Sequence, residues 1–311
     1  MLLEMDNGHL AYGDCVGVQY AATAGPDPVF DAQAAARTVQ EIIAPVLIGR
    51  RASSFRDLTH ELDGLTAAGE PLHTSVRHRV TQAILDAVAR SRATTMAEVI
   101  RDEYQTGVDL RPVGVFAQCG DDRYDNGDKM VLLAADALPH GLINDVLTKV
   151  GPRGTLLTDY VRWVRDRVLA LRTDPAYLPV LHFDVYGTLG IVFDGDLEAL
   201  ASFLVQLGTL AAPLSLRIEH PVDAGSRPAQ IKAMACLRAH IAKRGGGVAL
   251  AVDEWCNTKQ DIESFVAADA ADVIHVKVPD LGGLQHTVES LLLALSVKLR
   301  WPHHVSVTWP S

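Results

Sequence analysis

The sequence predicts an α/β fold of parallel strands and helices, most economically a (β/α) barrel, preceded by a smaller strand-and-helix region. From residue 111 onward, short β-like runs that end in polar residues alternate with amphipathic segments of helix length. These strands recur at intervals of roughly 25–40 residues, which is typical of βα units. Three consecutive runs also end in an acidic residue. Before residue 111 the pattern differs, and we predict a separate N-terminal domain over residues 1–110.

The N-terminal domain is predicted from one turn signal and two helical patterns. Asp6-Asn7-Gly8 contains the Asn-Gly pair that favours a tight turn between two strands. Residues 31–49 and 76–104 then carry apolar side chains at helical spacing. We therefore expect one or two strands around that turn, followed by several helices.

The region from residue 111 to 311 contains six predicted strands separated by helical segments. In chain order, the strands are VGVFAQ, GLIND, VLHFDVYG, LSLRIEHP, GVALAVDEW and DVIHVKVPD. The helices are GTLLTDYVRWVRDRVLALR, DLEALASFLVQLGTL, SRPAQIKAMACLRAHIAKRG and KQDIESFVAAD. Each helix has one apolar face, as a helix that covers a parallel sheet requires. We expect a single barrel domain over residues 111–311 that ends after about the sixth strand.

Composition excludes several classes of protein. The 311 residues are 48% hydrophobic and 21% charged, which is typical of a globular protein with one large or two smaller domains. The net charge of −10 argues against nucleic acid as a partner. The four cysteines are scattered without a CxxC pair, so neither a disulfide framework nor a zinc ribbon is indicated. Met1-Leu2-Leu3 is followed by acidic residues and no segment reaches membrane-spanning length, so we expect a cytoplasmic protein without a signal peptide.

Three carboxylates close successive strands of the predicted barrel. Asp184, Glu219 and Asp253 lie at the ends of the runs in HFDVYG, RIEHP and VDEW, at spacings of 35 and 34 residues. Because the carboxyl ends of barrel strands share one rim, we expect the three side chains to converge. Like charges this close repel unless a divalent cation binds between them, and oxygen ligands favour Mg²⁺ or Mn²⁺. The alternative is that each acid caps a helix or pairs with a surface base.

Lys277 ends the next strand, 24 residues after Asp253. The ammonium form of a buried lysine near a divalent metal is disfavoured, so the side chain can act as a general base near neutral pH. Such a base and metal together suit the removal of a proton from a carbon next to a carboxylate. The alternative is a lysine that only neutralises Asp253 or Glu254.

Longer stretches of the sequence resemble one enzyme family. The stretches are GDCVGVQY, PLHTSVRH, TQAILDAVA, TMAEVIRDEY, FAQCGDDRYDN, LPHGLIND, HFDVYGTLG, LRIEHP, VDEWCNT and KVPDLGG. Over about residues 1–285 they resemble the methylaspartate ammonia-lyases of the enolase superfamily. The resemblance implies a (β/α) barrel with an N-terminal α+β capping domain, in a homodimer. It implies a carbon–nitrogen lyase of glutamate degradation that reversibly eliminates ammonia from L-threo-3-methylaspartate to give mesaconate, with Mg²⁺ as cofactor and K⁺ as activator.

The resemblance also implies a role for each residue that matches the family's catalytic motifs. Asp184, Glu219 and Asp253 would bind the metal, and Lys277 would remove the proton at C3. His140, in LPHGLIND, would stand on the opposite face of the substrate and act there as an acid or a base. Considered alone, a histidine in such a loop is more often structural.

Three further residues match substrate-binding positions of the family. Gln118 and Gln19 would contact the carboxylate and amino region of a small amino-acid substrate. His275 stands where the family has a glutamine, two residues before Lys277, and it shares the strand face of that lysine. This replacement leaves the substrate open, so the alternative function is another reaction of the superfamily, an epimerisation or a cycloisomerisation.

Both ends of the sequence differ from the family. Family members carry further strands before the position of Met1, so we expect a partial capping domain. After about residue 290, LSVKLRWPHHVSVTWPS does not resemble the family's seventh strand, so we expect a barrel that is incomplete at its C-terminal end. A shifted reading frame or a wrong gene end would produce such a segment, and an inactive remnant is the further alternative.

Overall fold

The structure is a computed structural model that describes residues 1–16, 27–108 and 112–296, together with the backbone of residues 305–308. Its first elements form an antiparallel hairpin of β1 (Leu2–Glu4) and β2 (Leu10–Tyr12). Gly8, at φ +79°, lies in the turn, as the Asn-Gly pair predicted. The next elements are α1 (Ala32–Thr38), a π-helical turn (Val39–Ile43), α2 (Ala44–Leu47), α3 (Phe55–Asp63), a hairpin of β3 (Thr66–Ala67) and β4 (Glu70–Pro71), α4 (Thr74–Ser91) and α5 (Met96–Glu103).

The N-terminal helices pack around an apolar core of their own, which we call the N-terminal core. Its members include Phe55 of α3 together with Ile84 and Val88 of α4, and all three are buried. α5 begins at a capping box, in which the Thr95 hydroxyl accepts from the Glu98 N–H and the Glu98 carboxylate accepts from the Thr95 N–H. The helical patterns over 31–49 and 76–104 are thus confirmed, the second as two helices.

The second part of the chain is a parallel sheet covered by helices. Its strands lie side by side in chain order, each parallel to the next: β5 (Ala137–His140), β6 (Val180–Asp184), β7 (Leu216–Glu219), β8 (Val248–Val252), β9 (Val273–Lys277) and β10 (Val305–Thr308). The helical elements are α6 (Asp125–Leu132), a π-helical turn (Val146–Val150), a 3₁₀ turn (Pro152–Gly154), α7 (Thr155–Leu171), α8 (Thr188–Val192), α9 (Leu197–Ala211), α10 (Arg227–Lys243), α11 (Lys259–Ala267), α12 (Val278–Leu281) and α13 (Leu284–Ser296). The sheet curls into half of a barrel.

The two faces of this sheet differ in chemistry. The face toward the helices is apolar, with Phe183 and Ile218 in the largest hydrophobic core. Because side chains alternate along a strand, the neighbours His182 and Arg217, which are paired in register, lie on the opposite, inner face. Ala251 belongs to a small apolar cluster on that inner face. The polar side chains of these strands therefore lie on the inner face of the half-barrel, and the apolar side chains pack against the helices.

The strand predictions hold for β6 to β9 and differ at both edges of the sheet. The strand predicted at GLIND is wrong, because Gly141 and Leu142 have left-handed φ angles of +82° and +45°, and the strand is β5 just before them. VGVFAQ contributes a single parallel bridge, from Phe116 to Ala137. At the other edge, β10 extends the sheet by one strand beyond β9, where the sequence predicted its end. Within the described residues, no helix is long and apolar enough to cross a membrane.

Candidate active site

The carboxyl ends of five neighbouring strands bring polar side chains into one row, which we call the rim cluster. β5, β6, β7 and β9 end at His140, Asp184, Glu219 and Lys277, and Asp253 directly follows β8. The register pairs Asp184 with Glu219, so these carboxylates leave the sheet at the same level. All three carboxylates and His140 are buried. The structure therefore brings together the five residues that the sequence placed at strand ends.

The backbone turns sharply away from the sheet at the rim. His140, Tyr186, His220 and Trp255 follow or close four successive strands, and they have φ angles of +67°, +48°, +48° and +66°. Residues other than glycine adopt this left-handed region at a cost of about 1–3 kcal/mol. Such strain is typical of functional sites, because the surrounding structure must hold the side chains in one place.

Glu219, at the middle of the rim cluster, is held by a histidine on each oxygen. His182 Nε2 lies 2.5 Å from Oε2, and His275 Nδ1 lies 2.7 Å from Oε1. Burial alone would raise the pKa of Glu219, but the two histidines outweigh it and lower that pKa well below its ordinary value. Burial alone would lower the pKa of His275, yet Glu219 and Asp253 raise it to about 9. Glu219 is therefore a carboxylate, and His275 carries positive charge at neutral pH.

Asp184 lies between Glu219 and His140. His140 Nε2 is 3.3 Å from Asp184 Oδ2. Burial and the charge of Glu219 raise the pKa of Asp184. Burial alone would lower the pKa of His140, but its hydrogen bond to Asp184 and the nearby carboxylate charges raise it. At this end of the row, the carboxylates beside His140 therefore favour its positive form, which burial alone would disfavour.

Lys277 closes the other end of the row through an ion pair. Its Nζ lies 2.6 Å from Asp253 Oδ2 and 3.9 Å from Glu254 Oε1. Burial alone would lower the pKa of Lys277, but these two carboxylates outweigh it and raise the pKa. Burial and the charge of Asp253 also raise the pKa of Glu254, to about 8. Among the protein's own groups, Lys277 is therefore an ammonium paired with Asp253, which is the neutralising contact considered as the alternative to a base.

The rim cluster has the donors that a metal ion needs. His140, Asp184 and Glu219 form one set of ligand atoms within 4.8 Å of one another, and Glu219, Asp253 and His275 form another. Asp253 Oδ1 is buried and has no hydrogen-bond partner among the described residues. A buried carboxylate oxygen without a partner is costly unless a cation binds it. The residues present therefore fit a divalent cation, with histidine nitrogens near the carboxylates that the sequence suggested.

The three predicted substrate-binding residues differ in where the structure places them. His275 is buried against Glu219 within the rim cluster. Gln118 lies two residues after the bridge at Phe116, and its side chain is exposed. Gln19 lies outside the described residues. Their contacts with a substrate remain predictions.

Besides His182, which contacts Glu219, three residues that the sequence did not select also belong to the site. Glu254, next to Asp253, has its Oε2 3.3 Å from His220 Nδ1. Tyr186 lies with its ring edge toward His140, at a centroid distance of 6.4 Å. All three lie one or two residues beyond a predicted metal ligand. This position, directly after a predicted metal ligand, was the feature of the sequence that could have identified them as site residues.

Comparison with known proteins gives consistent results over almost the whole chain. The family described as "Methylaspartate ammonia-lyase N-terminus" matches residues 1–105, and "Methylaspartate ammonia-lyase C-terminus" matches residues 107–300. The match thus extends to residue 300, whereas the resemblance was expected to fade after about residue 290. Methylaspartate ammonia-lyase of Clostridium tetanomorphum is 47% identical over 292 residues, which are 94% of this chain and 71% of that protein. Methylaspartate ammonia-lyase 2 of Carboxydothermus hydrogenoformans is 48% identical, with the same coverages.

Several solved structures have the same fold as this chain. The Mg complex of β-methylaspartase from Clostridium tetanomorphum has a TM-score of 0.90 at 46% identity, covering 95% of this chain and 71% of that one. Methylaspartate ammonia-lyase of Citrobacter amalonaticus containing (2S,3S)-3-methylaspartic acid has a TM-score of 0.95 at 38% identity, covering 100% of this chain and 81% of that one. Muconate cycloisomerase of Pseudomonas fluorescens has a TM-score of 0.65 at 17% identity and covers 95% and 71%, so it is similar in fold alone.

Proposed function

The chain belongs to the methylaspartate ammonia-lyase family of the enolase superfamily, and we propose that it catalyses the reaction for which this family is named. The reaction is the reversible elimination of ammonia from L-threo-3-methylaspartate to give mesaconate. One relative in this family was solved with Mg and another with 3-methylaspartic acid. We propose that the rim cluster of this chain binds the same two ligands.

The observation that carries the proposal is the order of groups along the rim. Three carboxylates, Asp184, Glu219 and Asp253, occupy the centre, and the two residues with transferable protons, His140 and Lys277, stand at the ends. An elimination from an amino-dicarboxylic acid uses both a site that stabilises negative charge and groups that transfer protons. The carboxylates at the centre would hold a divalent cation that compensates negative charge on a substrate carboxylate, and the residues at the ends would exchange protons with the substrate.

Lys277 would remove the proton at C3, since it ends β9 at the mouth of the half-barrel and keeps 16% of its side chain exposed. The amine must be neutral to accept a proton, whereas Asp253 and Glu254 favour its ammonium form. Mg²⁺ bound by Asp184, Glu219 and Asp253 would supply positive charge that offsets those carboxylates and stabilises negative charge developing on the substrate. Asp253 would then favour the ammonium form of Lys277 less strongly.

His140 would serve the opposite face of the substrate. It is four strands away from Lys277 along the sheet, with the three carboxylates between them. Its Nε2 lies 3.3 Å from Asp184 Oδ2, and this contact raises the pKa of His140 above its ordinary value although burial alone would lower it. A substrate between these two residues meets a proton-transfer group on each side.

Several finer features are proposed on the resemblance. They are activation by K⁺, assembly as a homodimer, a place in glutamate degradation, and a cytoplasmic location. The scattered free cysteines support the last of these, because a reducing compartment keeps thiols unpaired.

The proposal is tested by the absorbance of mesaconate in the ultraviolet, with purified protein, L-threo-3-methylaspartate, Mg²⁺ and K⁺. We expect product from the unaltered chain and a loss of at least about 10²-fold in Lys277→Ala, because a general base contributes that much. Lys259→Ala is the matched control, since Lys259 makes an ion pair with Glu289, 2.6 Å long, outside the rim cluster. Equal rates in the two lysine variants, or no product from the unaltered chain, would contradict the proposal.

A further inference from the structure

His182 is a buried histidine with one polar contact, and its place in the sheet is fixed. It lies on β6, two residues before Asp184, and points into the half-barrel with 1% of its surface exposed. Its Nε2 is 2.5 Å from Glu219 Oε2. Its Nδ1 is buried and has no hydrogen-bond partner among the described residues. Glu219 is therefore the group toward which this ring is directed.

The direction of the hydrogen bond follows from the partner. A carboxylate only accepts hydrogen bonds, so the Nε2–H of His182 donates to Glu219. The ring of Phe116 packs on the imidazole at a centroid distance of 4.6 Å and an angle of 40°. The imidazole is thus held from one side by an aromatic ring and at its tip by the carboxylate. Neither contact leaves it free to turn toward a substrate.

The two histidines on Glu219 are not equivalent. His275 is shared, because its Nδ1 lies 2.7 Å from Glu219 and also 3.9 Å from Asp253. Among the described residues, His182 contacts one carboxylate, that of Glu219. A cation bound to the rim cluster would compete with His275 for Glu219 Oε1 and Asp253.

We propose that His182 is a positioning residue, which holds the Glu219 carboxylate in the orientation that binds Mg²⁺. The proposal rests on the proposed function of Glu219 as a metal ligand. Partners that orient a ligand from behind in this way typically change metal affinity by 10–100-fold when they are removed. His182 thus acts on Mg²⁺ through Glu219 and does not touch the reacting atoms.

The test is calorimetric titration of the whole chain with Mg²⁺, without substrate, in His182→Leu and His182→Gln. Glutamine carries an N–H donor near the position of Nε2, whereas leucine fills a similar volume without a donor. We expect the dissociation constant for Mg²⁺ to rise by about 10–100-fold in His182→Leu and by much less in His182→Gln. Saturating Mg²⁺ should restore most of the turnover of His182→Leu, which a general loss of packing would not allow.

Three outcomes would overturn the proposal. They are unchanged Mg²⁺ affinity in His182→Leu, equal weakening in both variants, and turnover that excess Mg²⁺ does not restore. If His182→Leu does not fold, as judged by circular dichroism with a chelator, His182→Asn replaces it, because its shorter amide does not reach the Nε2 position. Asp253→Asn separates this test from the proposed function, since unchanged Mg²⁺ binding in that variant would contradict the metal site itself.

Discussion

The rim cluster and the N-terminal core are both buried, but the first consists of charged and polar side chains and the second of apolar ones. The N-terminal core consists of apolar side chains such as Phe55, Ile84 and Val88, each of which loses contact with water at no electrostatic cost. The rim cluster buries Asp184 and Glu219 side by side, with a histidine or lysine beside each carboxylate. Burial stabilises the fold in the first region and opposes it in the second.

This difference shows which region is arranged for stability and which for chemistry. Asp184 has a raised pKa because burial and Glu219 both disfavour its charge. A carboxylate whose pKa is higher in the folded chain than in the unfolded chain destabilises the fold once it ionises. Proteins keep such groups where function needs them. Substitutions in the two regions should therefore separate activity from stability.

The largest expected effect is on activity, at Asp184. Asp184→Asn removes one buried negative charge, so the free energy of unfolding at neutral pH without Mg²⁺ should stay equal or rise by about 1 kcal/mol. Elimination of ammonia should fall by about 10²–10³-fold, because one charge-stabilising group is lost. Denaturant unfolding and the mesaconate assay measure the two effects. Asp194→Asn, at an exposed position between α8 and α9, is the control. A loss of several kcal/mol at Asp184 would remove the contrast between the regions.

The reverse pattern is expected at Phe55 in the N-terminal core. Phe55→Ala leaves a cavity where a fully buried ring packed, so the free energy of unfolding should fall by about 3–5 kcal/mol. The Mg²⁺ dissociation constant of the folded fraction should not change. Ile48→Ala is the control, because Ile48 is 79% exposed and should change stability by less than about 0.5 kcal/mol. Weakened Mg²⁺ binding in Phe55→Ala would mean that the two regions are coupled.

The smallest expected effect lies where the two parts of the chain meet. His286 Nε2, on α13, is 3.1 Å from Asp63 Oδ2, on α3, and Gln285 donates to the other oxygen at 2.8 Å. The hydrogen bond to Asp63 raises the pKa of His286. Burial alone would raise the pKa of Asp63, but His286 and Gln285 lower it.

These directions fix the pH dependence of that contact. The contribution of His286 is complete below its ordinary pKa of about 6.5 and is lost as pH rises through the raised value. The contribution of Asp63 is complete above about pH 4 and is lost as pH falls through the lowered value. His286→Gln should therefore reduce the free energy of unfolding by about 0.5–1 kcal/mol between pH 5 and 6, and by close to nothing at pH 9. A deficit that grows with pH would contradict this sign.

The sequence sufficed for the parts of the fold that rest on local pattern. β6 to β9 were predicted because each is an apolar run that ends in a charged residue, and the rim follows because parallel strands end at one edge. The strand at β5 was misplaced because Pro139 indicates a break, whereas Leu142 and Ile143 look like strand residues. The left-handed turn at Gly141 ends the strand before Leu142, and the pattern of apolar residues does not indicate that turn.

The partners within the rim cluster could not be predicted from strand ends. The contacts of His182 and His275 with Glu219 depend on the lateral order and curl of the four strands β6 to β9, which spacing does not encode. The ion pair between Lys277 and Asp253 depends likewise on neighbouring strands ending at one level. The sequence identified the charged residues at the strand ends, and the structure adds His182 and the contacts that these residues make.

The most direct test of the proposed site follows the proton at C3. Deuterium exchange into C3 of L-threo-3-methylaspartate, followed by proton NMR in D₂O with Mg²⁺ and K⁺, reports on the base without requiring release of ammonia. We expect exchange in the unaltered chain and in Lys259→Ala, and none above background in Lys277→Ala. Exchange that persists in Lys277→Ala would show that another group removes the proton, and it would contradict the assignment of Lys277 as the base of the rim cluster.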